Sequence, residues 1–566
     1  MDTRTSPFVR ASLDRLAATP HDLLVIGGGI TGAGIARDAA MRGLSTVLVE
    51  AGDLAAGTSS RSSRLIHGGL RYLEQGRLRL VHEASRERRV LLRIAPHLVR
   101  PLPFVFPVHH GDRVPLWKLA AGLWLYDLLA AFRNVRHHRI LGKRALLREE
   151  PMLRERGLVG GARYFDAQCD DARLTLATAR AAMTCGAAVA TYMPVRALER
   201  AGGEVRGATV EDLLTGERGS IRASVVVNAA GPWADELRRL EDPAARALLH
   251  RTTGSHALVP RTRLGHRAAI TMTSPIDGRV MFVLPWGEFS YIGTTETELT
   301  GPPEAAAASQ ADVLYLLRSA NACFPHAHLT EDDVLATWTG VRALVASDGA
   351  TPASNITREH VIERGPAGMF TIAGGKLTTY RAMAAEMVDL VEAELARRER
   401  RPRTPAPPTD SVPLPGGEAG DLSPLRQAAL DLGLAAGTAD HLLRHYGTET
   451  AAICNLVATD RSLLAPLDPA HPAIEAEVLH HVRRELAVRV EDVMLRRIHL
   501  GYETPDRGAA AVERVAALMG RELGWEAGRC GEEVARWRNR SDVRTPGWSS
   551  SRPAGADAPL LPGPPA

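Results

Sequence analysis

The stretch that most constrains this chain is Asp22-Leu-Leu-Val-Ile26, an apolar strand-like run, followed at once by Gly27-Gly-Gly29-Ile-Thr-Gly32 and a helix-like segment to Arg42. A second apolar run, Thr46-Val-Leu-Val-Glu50, ends on an acid 18 residues after Gly32. Strand, glycine turn, helix and strand within about 30 residues make a βαβ unit, the opening of a doubly wound parallel sheet. Gly27, Gly29 and Gly32 let the chain turn and let its backbone approach a pyrophosphate, which rests on the helix N-terminus. Glu50 stands where a carboxylate takes ribose hydroxyls. A lone G-x-G-x-x-G is a weak signal. With strand, helix and acid in register it predicts dinucleotide binding, and it leaves NAD and FAD open.

Three further pieces bear on that choice. The chain holds no second G-x-G-x-x-G, which argues against a reductase carrying both flavin and nicotinamide. Thr58, Ser59 and Ser63 lie in a hydroxyl-rich loop, GTSSRSS, suited to a second contact with a diphosphate. Val225 to Gly231 reads as a strand ending in small residues, as needed where backbone passes close to a cofactor. Gly374-Gly-Lys376-Leu-Thr378 fails as a phosphate loop, because G-x-x-x-x-G-K-[S/T] would need Gly at Phe370 and Ser or Thr at Leu377. What remains is a strand, two glycines and a helix start whose amides can face a flavin ring or an anion.

Composition sharpens the interest in Lys376. Of 69 basic residues only Lys118, Lys143 and Lys376 are lysine. A sequence so biased to arginine that still keeps Lys376 needs a compact ammonium there rather than a planar fork. The near balance of 69 basic against 65 acidic residues gives no nucleic-acid footprint. Five scattered cysteines with no C-x-x-C pair exclude zinc knuckles, redox dithiols and ferredoxin-type clusters, so no metal site is expected. The first twenty residues lack the apolar core of a secretory signal, which makes the cytoplasm the default.

Organisation follows from pattern. Residues 1–20 read as a polar arm, and strand-like runs recur at Ser224–Ala229, His256–Pro260, Arg279–Pro285, Phe289–Thr294 and Gly368–Ala373. A charged, then Pro-rich run around 401–415 is linker chemistry. Helical periodicity at Leu425–Leu434, Ala439–His445, Ala473–Leu500 and Ala509–Trp525 predicts a separate helical domain over 416–540, apart from the chemistry. Residues 541–566, rich in Pro, Ser, Gly and Ala, read as a disordered tail. The longest apolar stretch, Pro115–Phe132, is interrupted by Lys118, Gly122 and Asp127 and followed by Arg133, Arg136 and Arg139. It reads either as a core helix or as one lying in a bilayer interface, with Trp117 and Trp124 at headgroup level.

Taken in order, these segments resemble the FAD-dependent glycerol-3-phosphate dehydrogenases. The resemblance is carried by DLLVIGGGITGAGIARDAAMRGL (22–44), TSSRSSRLIHGGLRYLE (58–74), DDARL (170–174), NAAGPWAD (228–235), GSHALVP (254–260), FVLPW (282–286), IGTTE (292–296), TGVRAL (339–344), ITREH (356–360) and GGKLTTYR (374–381). LIHGGLRYL with GGKLTTYR separates this family from glycine and sarcosine oxidases. The resemblance implies an α/β (α+β) fold. It consists of a Rossmann-type, discontinuous FAD-binding domain over 21–400 with an inserted mixed-sheet substrate domain (roughly 100–150 and 250–350), D-amino-acid-oxidase-like, then the helical domain. It implies FAD held by Gly27, Gly29, Gly32, Glu50, Thr58, Ser59, Ser63, Gly231, Leu377 and Thr378; because no sequence feature marks a covalent attachment, non-covalent FAD is expected. It also implies a glycerol 3-phosphate pocket of Arg71, Tyr72, Thr294, Arg342 and Lys376. His256, Arg342 and Lys376 are the catalytic candidates, His256 as base.

The chain departs from the family pattern at Arg64, Glu296 and Ala343, where Lys, Asp and Pro are usual; Arg64 is read as an exchange of little weight. The implied reaction is oxidation to dihydroxyacetone phosphate, with electrons passed to a membrane quinone from a peripheral position on the inner face of the cell membrane. A homodimer is left open. The alternatives are a glycerol-3-phosphate oxidase using O2, a related amino-acid oxidase, which the two specific segments disfavour, and a tRNA-modifying flavoprotein, which the charge balance disfavours.

Overall fold

The computed structural model describes residues 8–74, 76–130, 135–345, 359–399, 402–418 and 420–540. The start of the expected arm, Arg133, most of the 356–360 motif and the tail lie outside these residues, as does the side chain of Arg71.

The apolar runs that open the chain pair as their spacing predicts. His21–Ile26 lies parallel to Thr46–Val49 on one side and to Arg218–Asn228 on the other. Ala188–Ala190 extends the sheet past Thr46–Val49; Phe370–Gly374 extends it, still parallel, past Arg218–Asn228. The helix Ile30–Met41 is rich in alanine and buried nearly all round, because it packs between this sheet and the helices Asp171–Thr184 and Tyr380–Glu399. Small side chains let helices approach closely on both flanks. Residues 8–20 are not a free polar arm. Leu13 and Leu16 share one face of a short helix and are buried against the sheet, and Arg10 pairs with Asp212 at 2.8 Å.

A second, mixed sheet forms the other half. Leu249–Pro260 pairs antiparallel with Phe289–Gly293 and Ala336–Val345. The sheet continues through Val280–Trp286 and Ala269–Thr273 to Val99–His109 and Leu158–Cys169. Its faces carry the core of Phe104, Tyr164, Leu284, Tyr291 and Trp338.

The C-terminal region is helical, with one break that periodicity hides. Ala473–Leu500 reads as one helix but divides into Glu475–Arg484, a π-type turn at Asp492–Arg497 and a short helix at Leu500–Glu503. Leu486 adopts a left-handed backbone (φ 55°), and the Asp492 carboxylate accepts the amides of Val488 and Arg489 at 2.9 Å each. Local side-chain bonds of this kind compete with the helical ladder.

This region does not stand apart. Arg496 and Arg497 both bind Asp53, in the loop after Glu50. Arg173 reaches Glu485 at 2.7 Å, Arg180 binds Glu449, and His499 Nε2 lies 2.8 Å from Asp170. Nearly all of these groups are buried. The reading of a helical domain clear of the chemistry is corrected: the seam is made of charges that no helical periodicity reports. The linker docks as well, since Arg37 donates to the carbonyls of Thr409 and Val412.

One pair carries a pH signature. Burial alone would lower the His499 pKa, but the Asp170 carboxylate holds it above its ordinary value of 6.5. Its contribution to stability is complete below the unfolded value and lost as pH rises through the raised folded one. Asp170 is held below its ordinary 3.8, mainly by His499 and against burial, and its share fades only in acid. His499→Gln should therefore lower stability near pH 6 and flatten its decline above pH 6.5, as read by urea unfolding across pH. An unchanged alkaline slope would refute the assignment.

Candidate active site

The glycine turn builds a cradle. Gly27 has φ +116° and its backbone passes so close to Ala229 that a Cβ would meet that carbonyl oxygen at 2.6 Å. Side chains are thereby excluded from the floor of a cleft of about 1040 Å³, lined by Gly27, Gly29, Glu50, Thr58, Ser59, Gly231, Lys376 and Leu377 among others. Ser59 Oγ accepts the amide of Ile30 at the helix N-terminus at 3.0 Å, and Thr58 Oγ1 donates to the Val341 carbonyl at 2.6 Å. Glu50 is held by two amides, those of Gly28 (2.6 Å) and Gly52 (2.8 Å). Burial pushes its pKa up while those amides pull it back. Gly32 is not on the cleft surface; it lies under the turn, where a Cβ would run into Gly27. The donor set and the stripped floor fit a dinucleotide.

A second cavity, of about 530 Å³, joins the first. Ser62, His67, Tyr72, Arg342, Lys376 and Leu377 line both. Thr294, Thr378 and Ser63 line the second. Lys376 starts a 3-10 turn, Leu377–Thr379, ahead of the helix Tyr380–Glu399, and its Nζ lies 3.6 Å from the centroid of the Tyr72 ring. Gly375 makes this turn possible: at φ +85°, a Cβ would meet the Met383 sulfur at 2.5 Å. Arg342 bonds Thr294 Oγ1 and the Thr253 carbonyl, which fixes its guanidinium on the shared wall.

His256 is placed differently. Its imidazole lines neither cavity. It stacks on Trp338 (centroids 5.0 Å apart), and its Nε2 lies 2.9 Å from Ser63 Oγ, the group that does face the second cavity. Burial, with Arg342 and Arg64 adding to it, lowers its pKa to about 3. A strand position with alternation in and out could not reveal which side faces solvent. The histidine on the shared wall is His67, in the LIHGGLRYL segment, which is not among the catalytic candidates read from the sequence.

Two departures from the family pattern resolve as well. Arg64 is buried beside Asp171, its guanidinium 4.1 Å from the Trp286 ring centroid and 5.1 Å from that of Trp338. Dismissing it as a neutral exchange is corrected: planarity is used here. Glu296 pairs with Arg279 at 2.7 Å, and Arg279 lines the second cavity.

Behind His67, the loop is fixed by a buried triad. Asp166 Oδ1 accepts from Tyr126, Arg88 and the Gly68 amide; the Tyr126 oxygen also accepts the Gly68 amide, at 3.0 Å. Tyr126 belongs to the helix Leu116–Leu129.

A parallel sheet with a glycine cradle, opening into a second cavity at a cationic wall, defines a flavin- or nicotinamide-dinucleotide oxidoreductase site. Comparison with known proteins narrows the class. Residues 22–390 match the family model "FAD dependent oxidoreductase", and residues 407–530 match "C-terminal domain of alpha-glycerophosphate oxidase". The chain is 39% identical over 556 residues to "Glycerol-3-phosphate dehydrogenase 2" of Mycobacterium tuberculosis, covering 97% of this chain and 92% of that protein. It is 37% identical to the mitochondrial glycerol-3-phosphate dehydrogenase of Macaca fascicularis, covering 92% and 73%. The solved glycerol-3-phosphate dehydrogenase of Bacillus halodurans, complexed with FAD, superposes with a TM-score of 0.76 at 30% identity, covering 93% and 95% of the two chains. The chain belongs to the FAD-dependent glycerol-3-phosphate dehydrogenase family.

The Asp166 triad makes a direct prediction. Tyr126→Phe removes a donor to Asp166 and an acceptor for Gly68, and should cost about 1–3 kcal/mol of stability. It should also speed hydrogen exchange at the Gly68 amide. Parental exchange at that amide would show that the phenol does not hold the loop.

Proposed function

We propose that this chain oxidises sn-glycerol 3-phosphate at C2 to dihydroxyacetone phosphate and passes the electrons to a membrane quinone. The observation that carries this reading is the shared wall, where cations, a histidine and hydroxyls meet at the junction of the dinucleotide cleft and a separate cavity. FAD, when bound in the cleft, supplies the hydride acceptor.

The chain's own residues do the rest. Lys376 and Arg342 bind the phosphate dianion, aided by Tyr72 and Thr294, with Arg71 assigned on the family pattern alone. Charge-assisted bonds from fixed donors orient C2 toward the cleft. His67 takes the C2 hydroxyl proton, because it is the histidine that lines both cavities. His256 keeps a positioning role, holding Ser63. A neutral, buried imidazole suits that role better than proton transfer at neutral pH.

The onward acceptor is argued from the second cavity's outer part. Leu70, Phe106, Val114, Leu119 and Leu125 make it apolar. The helix Leu116–Leu129 forms part of its wall while exposing Trp117 (74%), Trp124 (61%) and Leu128 (57%) on its far side. Leu119, Leu123 and Tyr126 are its buried face, which fits the core-helix reading, while the exposed tryptophan face supports the interfacial one. Among the described residues no helix is long and apolar enough to cross a membrane. An exposed tryptophan face with Arg136 and Arg139 close behind supports peripheral attachment at an anionic bilayer surface.

The test is anaerobic bleaching of the bound flavin by glycerol 3-phosphate, followed by re-oxidation with a quinone analogue compared with air. No bleaching removes the substrate; faster re-oxidation by air turns the reading to an oxidase. A charge-assisted bond is worth roughly 1.5–3 kcal/mol, so Lys376→Met should lower kcat/KM by about one to two orders of magnitude at unchanged stability. Lys376→Arg should fail to restore it, because a guanidinium cannot take the place of a compact ammonium. In flotation with anionic liposomes, a Trp117→Ser/Trp124→Ser protein should stay at the bottom of the gradient. Flotation equal to the parent would clear that helix of any membrane role.

A further inference from the structure

The dinucleotide cleft has a wall that neither the glycine turn nor the sheet supplies. Arg536, Asn539 and Arg540, at the end of the last described helix and just beyond it, line the cleft although they lie some 490 residues after Glu50 in sequence. A chain of contacts places them at one particular end. Arg540 binds Glu491, and Glu491 lies 3.8 Å from Arg496. Arg496 binds Asp53, three residues past Glu50 in the loop that continues the second strand. Arg489, beside Glu491 in sequence, stacks over Tyr192, whose amide donates to the Gly52 carbonyl. The contact chain includes none of the residues of the wall shared with the second cavity, where Lys376 and Tyr72 stand.

We infer that the C-terminal helix completes the binding site for the adenosine half of FAD, with Arg536 and Asn539 as its contact residues and Arg540 as the anchor that holds them in place. The ends of the cleft dictate which half. In a fold of this kind the acid closing the second strand marks the ribose of the adenosine moiety, and the reacting ring lies at the far end. The chemistry matches. A guanidinium offers a flat face to a purine and a fork of donors to phosphate or ribose oxygens, and an amide offers one donor and one acceptor group. Arg536 is half-exposed and paired only loosely with Glu533, at 3.8 Å, so its donors reach the cleft. Arg540 is held more firmly, with its side chain only 15% exposed and its partner Glu491 tied into the Asp53 cluster. The buried Trp537 on the same turn, packed over Gly501, sets the helix against its own domain while the other face turns to the cleft. The consequence is that FAD retention and docking of the helical region are one event. FAD bridges the sheet and the last helix, and each stabilises the other by linkage.

The test uses the full-length holoenzyme. Arg536→Ala/Asn539→Ala changes two exposed side chains and leaves the buried helix face intact. After dilution, FAD release is followed by the rise in flavin fluorescence. The dissociation constant should rise about tenfold, the scale of one good polar contact. ADP, as a probe for the adenosine half alone, should raise the thermal midpoint of the flavin-free parent and do so much less in the variant. Arg536→Gln, which keeps one donor group and removes the charge and the rest of the guanidinium fork, should fall between the two, and serves where the double variant folds poorly. An FAD dissociation constant within about twofold of the parent, or equal protection by ADP in parent and variant, would overturn the assignment.

Discussion

The arrangement turns on one buried carboxylate. Asp53, in the loop that carries Glu50, lies between Arg496 and Arg497 of the helical region, with all three side chains essentially out of water. Burial alone would raise its pKa, and the two guanidinium groups hold it below the carboxylate range instead. Such a cluster adds little net stability over an apolar contact, because desolvation offsets most of the attraction. Its effect is specific: removing one partner strands a buried charge, at a cost of about 3–5 kcal/mol. The seam therefore admits one docked arrangement, and the Glu50 loop inherits its position from a domain more than 400 residues away.

The same logic repeats along the interface. Arg173 and Arg180 leave the helix Asp171–Thr184 on one side and reach Glu485 and Glu449 on the other. Asp170 and Asp171 head that helix: Asp170 faces His499, while Asp171 accepts the amide and hydroxyl of Ser62 on the wall shared by the two cavities. One helix N-terminus thus ties the interface to the site. Carboxylates at that position are favoured by the helix dipole as well as by their partners. The site is pre-organised from behind by groups that touch neither cavity, among them His256 and Arg64.

What could be read from sequence is what local spacing encodes. The glycine turn, the strands at 21–26 and 46–49, Glu50 and the Gly374–Lys376 turn follow from residues within a few positions of one another, and they stand where their pattern put them. The misreadings share a cause. Asp53 pairs across more than 440 positions, Arg64 stacks on Trp286 and Trp338, and Asp492 caps a break inside an apparently continuous helical pattern. None of these leaves a periodic trace. The placement of His256 behind both cavities was hidden for a related reason: alternation along a strand tells that a side chain is inward, not whether inward means cavity or core.

Composition, in contrast, carried more than it first suggests. This chain uses arginine almost everywhere a cation is needed, and six of the buried ones, Arg42, Arg88, Arg173, Arg180, Arg496 and Arg497, are each paired with buried or half-buried carboxylates. Planar, multidentate pairing is what a guanidinium does well, and such a cation is no longer available to a ligand. Of the three lysines, Lys143 is a half-exposed partner of Glu155. The other two, Lys118 and Lys376, both line the second cavity, Lys118 on the helix with the exposed tryptophans and Lys376 at the wall shared with the dinucleotide cleft. A flexible stem with a compact charge suits a cation that must follow a ligand rather than hold a fold together. Two of only three lysines thus stand at one cavity, beside Arg342, and mark it independently of any motif.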